Sequence, residues 1–158
     1  MAKRTSTSTV GWILRGVAAG AAGTTALNVV TYLDMAVRGR PASSTPENTV
    51  EKLADAAHVA IPGEGVKRAS RVEGLGALTG LVAGIGVGGL LGLARASGFR
   101  AGTLLTTVTV LISTNGPMTV LGVTDPRTWS AVDWISDIVP HLAYSAVVTT
   151  TMNALDHS

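Results

Sequence analysis

Asp133, Asp137, His141 and Tyr144 recur at offsets of four, eight and eleven along one apolar stretch. On an α-helix of 3.6 residues per turn these offsets hold all four within roughly 80° of one another. Carboxylates, an imidazole and a phenol aligned in this way can relay protons, hold a cation or bind a polar headgroup. Histidine titrates near neutral pH, and neighbouring carboxylates set its charge. A plainer arrangement fits the same residues and is the expected one. Trp129 and Trp134 are the aromatics that mark a membrane interface. Asp133 and Asp137 would then sit among headgroups, with His141 and Tyr144 slightly deeper. A metal site is not expected, because one histidine and two carboxylates on a single helix lack a second arm, and a closed zinc site takes four ligands.

Two other positions put polar groups into apolar surroundings. Ser113-Thr114-Asn115-Gly116-Pro117 interrupts a run from Ala101 to Val123. Pro117 removes the bond to the Ser113 carbonyl and should kink or break the helix, and Asn115 with the hydroxyls is expected to take up the freed backbone group. Broken helices of this kind line substrate sites in transporters, although a tolerated kink is the commoner outcome. Arg15 lies early in another apolar run, where it either reaches back to the interface or pairs with a carboxylate.

The elements that carry these residues follow from composition. Of 158 residues only 14% are charged while 46% are hydrophobic and 19 are glycine; mean hydropathy is +0.39. A soluble surface ordinarily draws on about a quarter charged residues. The formal net charge of +2 is too small to indicate nucleic acid. With no cysteine, thiolate metal sites, disulfides and cysteine nucleophiles are excluded. No phosphate-binding loop, nucleophile elbow or zinc-protease motif occurs. Gly84-Ile85-Gly86-Val87-Gly88-Gly89 lies inside an apolar run rather than after a strand, so it is no dinucleotide turn.

Four apolar stretches, about 10–37, 74–96, 101–123 and 131–155, each reach the roughly 20 residues that cross a bilayer. The first is longer than the core of a cleaved signal peptide. The expected fold is therefore an all-α membrane bundle of four spans in a single domain. The polar segment Arg38–Glu73 is expected to hold an amphipathic helix over about 45–61. It would start at Ser44 or Thr45-Pro46, with a Ser44–Glu47 capping box as one option, and stop at Pro62-Gly63. Short connections make the later spans antiparallel neighbours with both termini on one side. Counting Lys and Arg puts the long loop in the cytoplasm.

Gly76, Gly80, Gly84, Gly88 and Gly92 fall every fourth position through the second stretch. Each costs about 1 kcal/mol against alanine in a helix, so propensity does not explain them. In lipid, helices associate through close backbone contact at small residues. The first stretch offers a matching ridge in Gly16, Gly20, Thr24 and Asn28, broadened by Ala19 and Gly23. A contact between these two helices is expected, in preference to one with a second copy of the chain.

Several segments together resemble a group of small, uncharacterised integral membrane proteins of actinobacteria. They are Ala26-Leu27-Asn28 through Tyr32-Leu33-Asp34, Gly39-Arg40-Pro41 with Thr45-Pro46-Glu47, Leu121-Gly122-Val123-Thr124-Asp125-Pro126, and Asp133-Trp134 leading to Pro140-His141-Leu142-Ala143-Tyr144. The His-Leu pattern of the last also resembles, faintly, YagU-type inner-membrane proteins. The resemblance implies a bacterial plasma membrane and no particular chemistry. The expected role is non-enzymatic and needs no cofactor: helix packing or assembly in the lipid bilayer, with another membrane protein or a second copy as partner. The alternative is a small transporter or proton-linked permeation protein that uses the polar face of the fourth stretch.

Overall fold

The computed structural model describes residues 7–156 and, over them, contains helices and no strand. Five α-helices follow one another: α1 Thr9–Arg38, α2 Thr45–Ala56, α3 Gly65–Ala96, α4 Thr103–Val120 and α5 Ala131–Asp156. A single 3-10 turn, Pro126–Thr128, joins α4 to α5. α1 is the central element. It packs against α3 and against α5, while α4 packs on α5 and α2 on α3.

Backbone contact fixes the α1–α3 pair. A methyl group added at Gly16 would strike the Gly88 carbonyl and come within 2.9 Å of the Gly92 Cα. One at Gly20 would lie 2.8 Å from the Gly84 carbonyl and 3.0 Å from the Gly88 Cα. One at Gly92 would strike the Trp12 carbonyl. Gly84 faces the Thr24 side chain, whose hydroxyl is turned back onto the Gly20 carbonyl at 2.8 Å. The other two glycines of the row lie elsewhere. Gly76 faces Pro46 and Glu47 of α2, and Gly80 has nothing within 4 Å. Spacing four drifts by about 40° per step on a 3.6-residue helix, so Gly76 and Gly92 point roughly 160° apart. One straight partner cannot follow all five.

By length and composition, α1 and α3 are apolar enough to cross a membrane. Their most apolar windows are only 28% and 11% buried, whereas the core helix of a soluble domain would be buried over most of its length. The enclosed apolar core is small: Ala19, Val110, Tyr144, Val148 and Met152, flanked by Leu27, Val87 and Leu91. Larger apolar side chains lie outside it on every long helix, among them Val29, Leu33, Leu78, Val82, Leu104, Ile112, Ile135 and Val139. α4 and α5 are not in that pair: α4 carries no charge but holds Asn115 among its hydroxyls, and α5 holds three aspartates.

Helix ends depart from expectation where hydropathy is a poor guide. α3 starts at Gly65, well before its apolar run begins at Gly74. Lys67, Arg68, Arg71 and Glu73 are straight-chain residues with good helix propensity and nothing between them breaks the helix. Arg68 pairs with Glu51 of α2 at 2.7 Å, and Arg71 donates to the Pro62 carbonyl at 2.5 Å. α2 stops at Ala56, short of the expected Ile61. The His58 amide bonds the Asp55 carbonyl and the Val59 amide the Ala54 carbonyl, which is a Schellman ending with His58 at φ 55°. Gly98 closes α3 with the same pair of bonds, at φ 88°. The Ser44–Glu47 capping box does not form; Ser43 Oγ accepts from the Thr45 amide instead, at 3.2 Å. In the turn before α5, Arg127 grips Asp125 with two bonds of 2.9 Å. These bonds hold the Asp125 carboxyl below its ordinary value, so the pair persists at neutral pH and is lost only in acid.

Three substitutions test these contacts and ends. Gly88→Ala should cost about 1–3 kcal/mol by overpacking and lower the Tm of the purified protein. Gly80→Ala should be neutral or raise stability by up to about 1 kcal/mol through propensity. Equal Tm values for parent and Gly88→Ala would mean that α1 and α3 do not touch there. His58→Gly should stabilise by about 1 kcal/mol, since a side chain at positive φ is strained; a lower Tm would rule out the left-handed ending of α2.

Candidate functional site

The polar face of α5 divides into three parts. At the helix start, Ser130 and Asp133 cap one another. Asp133 Oδ2 accepts from the Ser130 amide at 2.9 Å and hydroxyl at 2.7 Å, and Ser130 Oγ accepts from the Asp133 amide at 3.3 Å. This reciprocal pairing satisfies amides that a helix start leaves open. Asp133 is exposed and belongs to the cap rather than to an inner site. Trp129 and Trp134 stand beside it edge to face, with centroids 5.0 Å apart.

One turn further, α4 and α5 meet through side chains. Asn115 Nδ2 donates to Asp137 Oδ2 at 2.8 Å. His141 Nδ1 lies 2.7 Å from the Asp137 carbonyl and 3.3 Å from Asp137 Oδ1. His141 Nε2 lies 3.5 Å from the Thr114 hydroxyl, which also donates to the Val110 carbonyl at 2.9 Å. Both acceptors at Nδ1 require that nitrogen to carry the proton. The Thr114 hydrogen is taken by Val110, so the Nε2 contact is a hydrogen bond only when the ring is doubly protonated. Asp137 and His141 are largely covered, with side chains 20% and 13% exposed. If the cap marks the interface, Asp137 lies about 6 Å and His141 about 12 Å along the helix from it. Pro117 and Pro140 flank the network, one in each helix. The expectation that Asn115 and its neighbours take up the backbone group freed by Pro117 is not met. α4 continues past the proline, Asn115 turns to Asp137, and the Ser113 and Thr119 hydroxyls bond the Thr109 and Asn115 carbonyls.

Tyr144 serves a third purpose. It is 1% exposed and packs beside Gly23 of α1, where an added methyl would lie 2.8 Å from its ring. Its hydroxyl donates to the Gly84 carbonyl of α3 at 2.6 Å. This phenol ties three helices together and does not join the His141 network.

Arg15 lies at the opposite end of the molecule, donating to the Leu155 carbonyl at 2.6 Å. Beside it Arg95, 7% exposed, bonds Asp156 and, at 2.8 Å, Asn153 Oδ1. From sequence, Arg95, at the end of the second apolar stretch, was given no role. Its signal was position: Gly88, Gly92 and Arg95 continue one helix face, and Trp12 precedes Gly16 by four on the facing ridge. Asp156 was likewise passed over, and the Thr114 hydroxyl was expected to serve the backbone rather than to lie beside His141.

The arrangement joins Asp137, His141 and Asn115, and separates Asp133, Tyr144 and Arg15 from them. Among the described residues no three His, Asp or Glu side chains gather in a metal-binding group. A cavity lined by Arg95, Thr106, Val148, Thr149 and Met152 measures about 10 Å³, room for no more than a water. A groove of about 260 Å³ lies outside, between α2 and Gly122-Val123.

A double-mutant cycle tests this division. Asn115→Ala and Asp137→Ala should be non-additive by about 0.5–3 kcal/mol, whereas Asn115→Ala and Asp133→Ala should add. Additive losses for the first pair, measured by chemical unfolding, would remove the α4–α5 bond from the account.

Comparison of the chain with protein families, with curated proteins and with solved structures finds no match. What the molecule does therefore has to be argued from its own residues.

Proposed function

We propose that this chain is a four-span integral membrane protein of a bacterial plasma membrane, acting through helix contacts as an assembly partner or a self-associating unit and not by catalysis. One observation carries the reading. Along α3, Leu75, Leu78, Leu81 and Val82 are exposed, and Gly74 and Gly80 beside them have nothing within 4 Å. Apolar surface interrupted by bare glycine suits lipid and a neighbouring helix better than water. Length supports the four spans. The 18 residues of α4 measure about 27 Å and the 26 of α5 about 39 Å, against a hydrocarbon core of about 30 Å. α3 exceeds that thickness, and its surplus is the charged start before Gly74.

The second reading is a small proton-linked permeation protein. It is favoured by the Asn115–Asp137–His141–Thr114 network between two proline-bearing helices. It is weakened by the separation of Arg15 and Tyr144 from that network, and by the 10 Å³ size of the cavity near Arg95.

The protein should float with liposomes and resist extraction by alkaline carbonate. Because the native sequence has no cysteine, Gly80→Cys gives a unique cross-linking handle. In native membranes it should yield a higher-mass adduct, whereas Leu104→Cys, on the lipid-facing side of α4, should not. Proton flux into reconstituted liposomes should equal that of protein-free liposomes. Flux that His141→Ala abolishes would replace the assembly reading with the second one.

A further inference from the structure

At the end of the molecule where α1 begins and α3 and α5 finish, arginine outnumbers acid among the described residues. Arg15 donates to the Leu155 carbonyl, Arg95 bonds Asp156 and Asn153, and Arg100 Nη1 reaches Asp156 Oδ2 at 2.6 Å. Two guanidiniums thus hold the Asp156 carboxylate, and a third lies on the carbonyl of the residue before it. Trp12 lies under two of them, with its ring centroid 5.1 Å from the Arg15 guanidinium carbon and 5.6 Å from that of Arg95. The three differ in what they have left to offer. Arg95 is buried and engaged. Arg15 meets a carbonyl and a ring but no carboxylate among the described residues, and Arg100 has a side chain 64% exposed. Each guanidinium has five N–H donors in a planar fork suited to phosphate oxygens.

The apolar surroundings select the source of that phosphate. Val10 and Leu14 are 65% and 61% exposed on the same turns of α1 as Trp12 and Arg15, and Phe99, next to Arg100, is 55% exposed. A free anion makes no use of such surface, whereas acyl chains cover it. An ammonium headgroup would need an acid, and Asp156 is already held by Arg95 and Arg100. Resting on the membrane reading above, we infer that Arg15 and Arg100, positioned by Trp12 and Arg95, bind the phosphate of an anionic phospholipid at this end of the bundle.

The test is lipid retention by the full chain, purified in detergent, delipidated, and offered phosphatidylglycerol, phosphatidylcholine or inorganic phosphate. Native mass spectrometry counts bound lipid, and Tm reports protection. Phosphatidylglycerol should be retained about tenfold better than phosphatidylcholine, a difference of about 1.4 kcal/mol, and should raise the Tm where inorganic phosphate does not. Arg15→Gln with Arg100→Gln should abolish the preference. Arg127→Gln, at the other end and paired with Asp125, should leave it intact. Equal retention of the two lipids, unchanged preference in the double variant, or protection by inorganic phosphate equal to that by lipid would each overturn the inference. If the double variant does not fold, Arg100→Gln alone decides, and parental preference in it overturns the inference. Vesicle flotation separates the two levels of argument. A parent protein that floats with both lipids but prefers neither loses only this site, while one that floats with neither loses the membrane reading as well.

Discussion

The absence of side chains at Gly16, Gly20, Gly88 and Gly92 is the condition on which the packing depends. It brings the backbones of α1 and α3 so close that a single methyl on either has nowhere to go. In water such glycines would weaken both helices. In lipid, where burying leucine against leucine gains little over leucine against acyl chain, close backbone approach is the main attraction left. The closeness has a second effect. With α3 drawn onto α1 and Gly23 leaving a gap on its other side, Tyr144 of α5 passes α1 and reaches the Gly84 carbonyl. The glycine contact and the phenol bond thus form one node of three helices, and the enclosed apolar core gathers around it.

Alignment on a helix face proves a poor guide to shared purpose. Asp133, Asp137, His141 and Tyr144 lie along one side of α5, yet depth separates them into a cap, a bond to α4 and a bond to α3. Each environment meets a different need. At the helix start the need is an acceptor for open amides. One turn in, a carboxylate leaving water needs a donor, and Asn115 and His141 supply two. At the centre, a phenol that is fully covered needs a carbonyl. Ionisable groups within apolar stretches are costly when unpaired, and in this molecule the chain itself supplies the partners of Asp137, His141 and Arg95.

All-helical character and the short helix in the first loop were legible because they rest on local rules of spacing and propensity. The start of α3 was not, since hydropathy registers where apolar residues begin while a helix of Lys, Arg and Glu continues unmarked before them. The end of α2 depended on His58 adopting a conformation that sequence assigns to glycine or asparagine. Arg95 and Asp156 lie 61 positions apart in the chain, and no periodicity links them. They meet because α3 and α5 both pack on α1 and finish at the same end of it, which is a consequence of packing rather than of either local sequence.

The row of five glycines makes the clearest argument about what surrounds the molecule. Gly84, Gly88 and Gly92 are explained by α1, and Gly76 by the first turn of α2. Gly80 remains, and with it Gly74 and Gly86, each with nothing within 4 Å. Helical glycine costs about 1 kcal/mol against alanine whether or not anything approaches it, so these positions destabilise α3 with no compensating contact among the described residues. A drift of about 40° per step turns the row away from α1 and presents its bare part beside Leu78, Leu81 and Val82 on the outside. Under the assembly proposal, this bare part of α3 is where a neighbour beyond its own chain would rest, while Gly84, Gly88 and Gly92 serve the contact with α1.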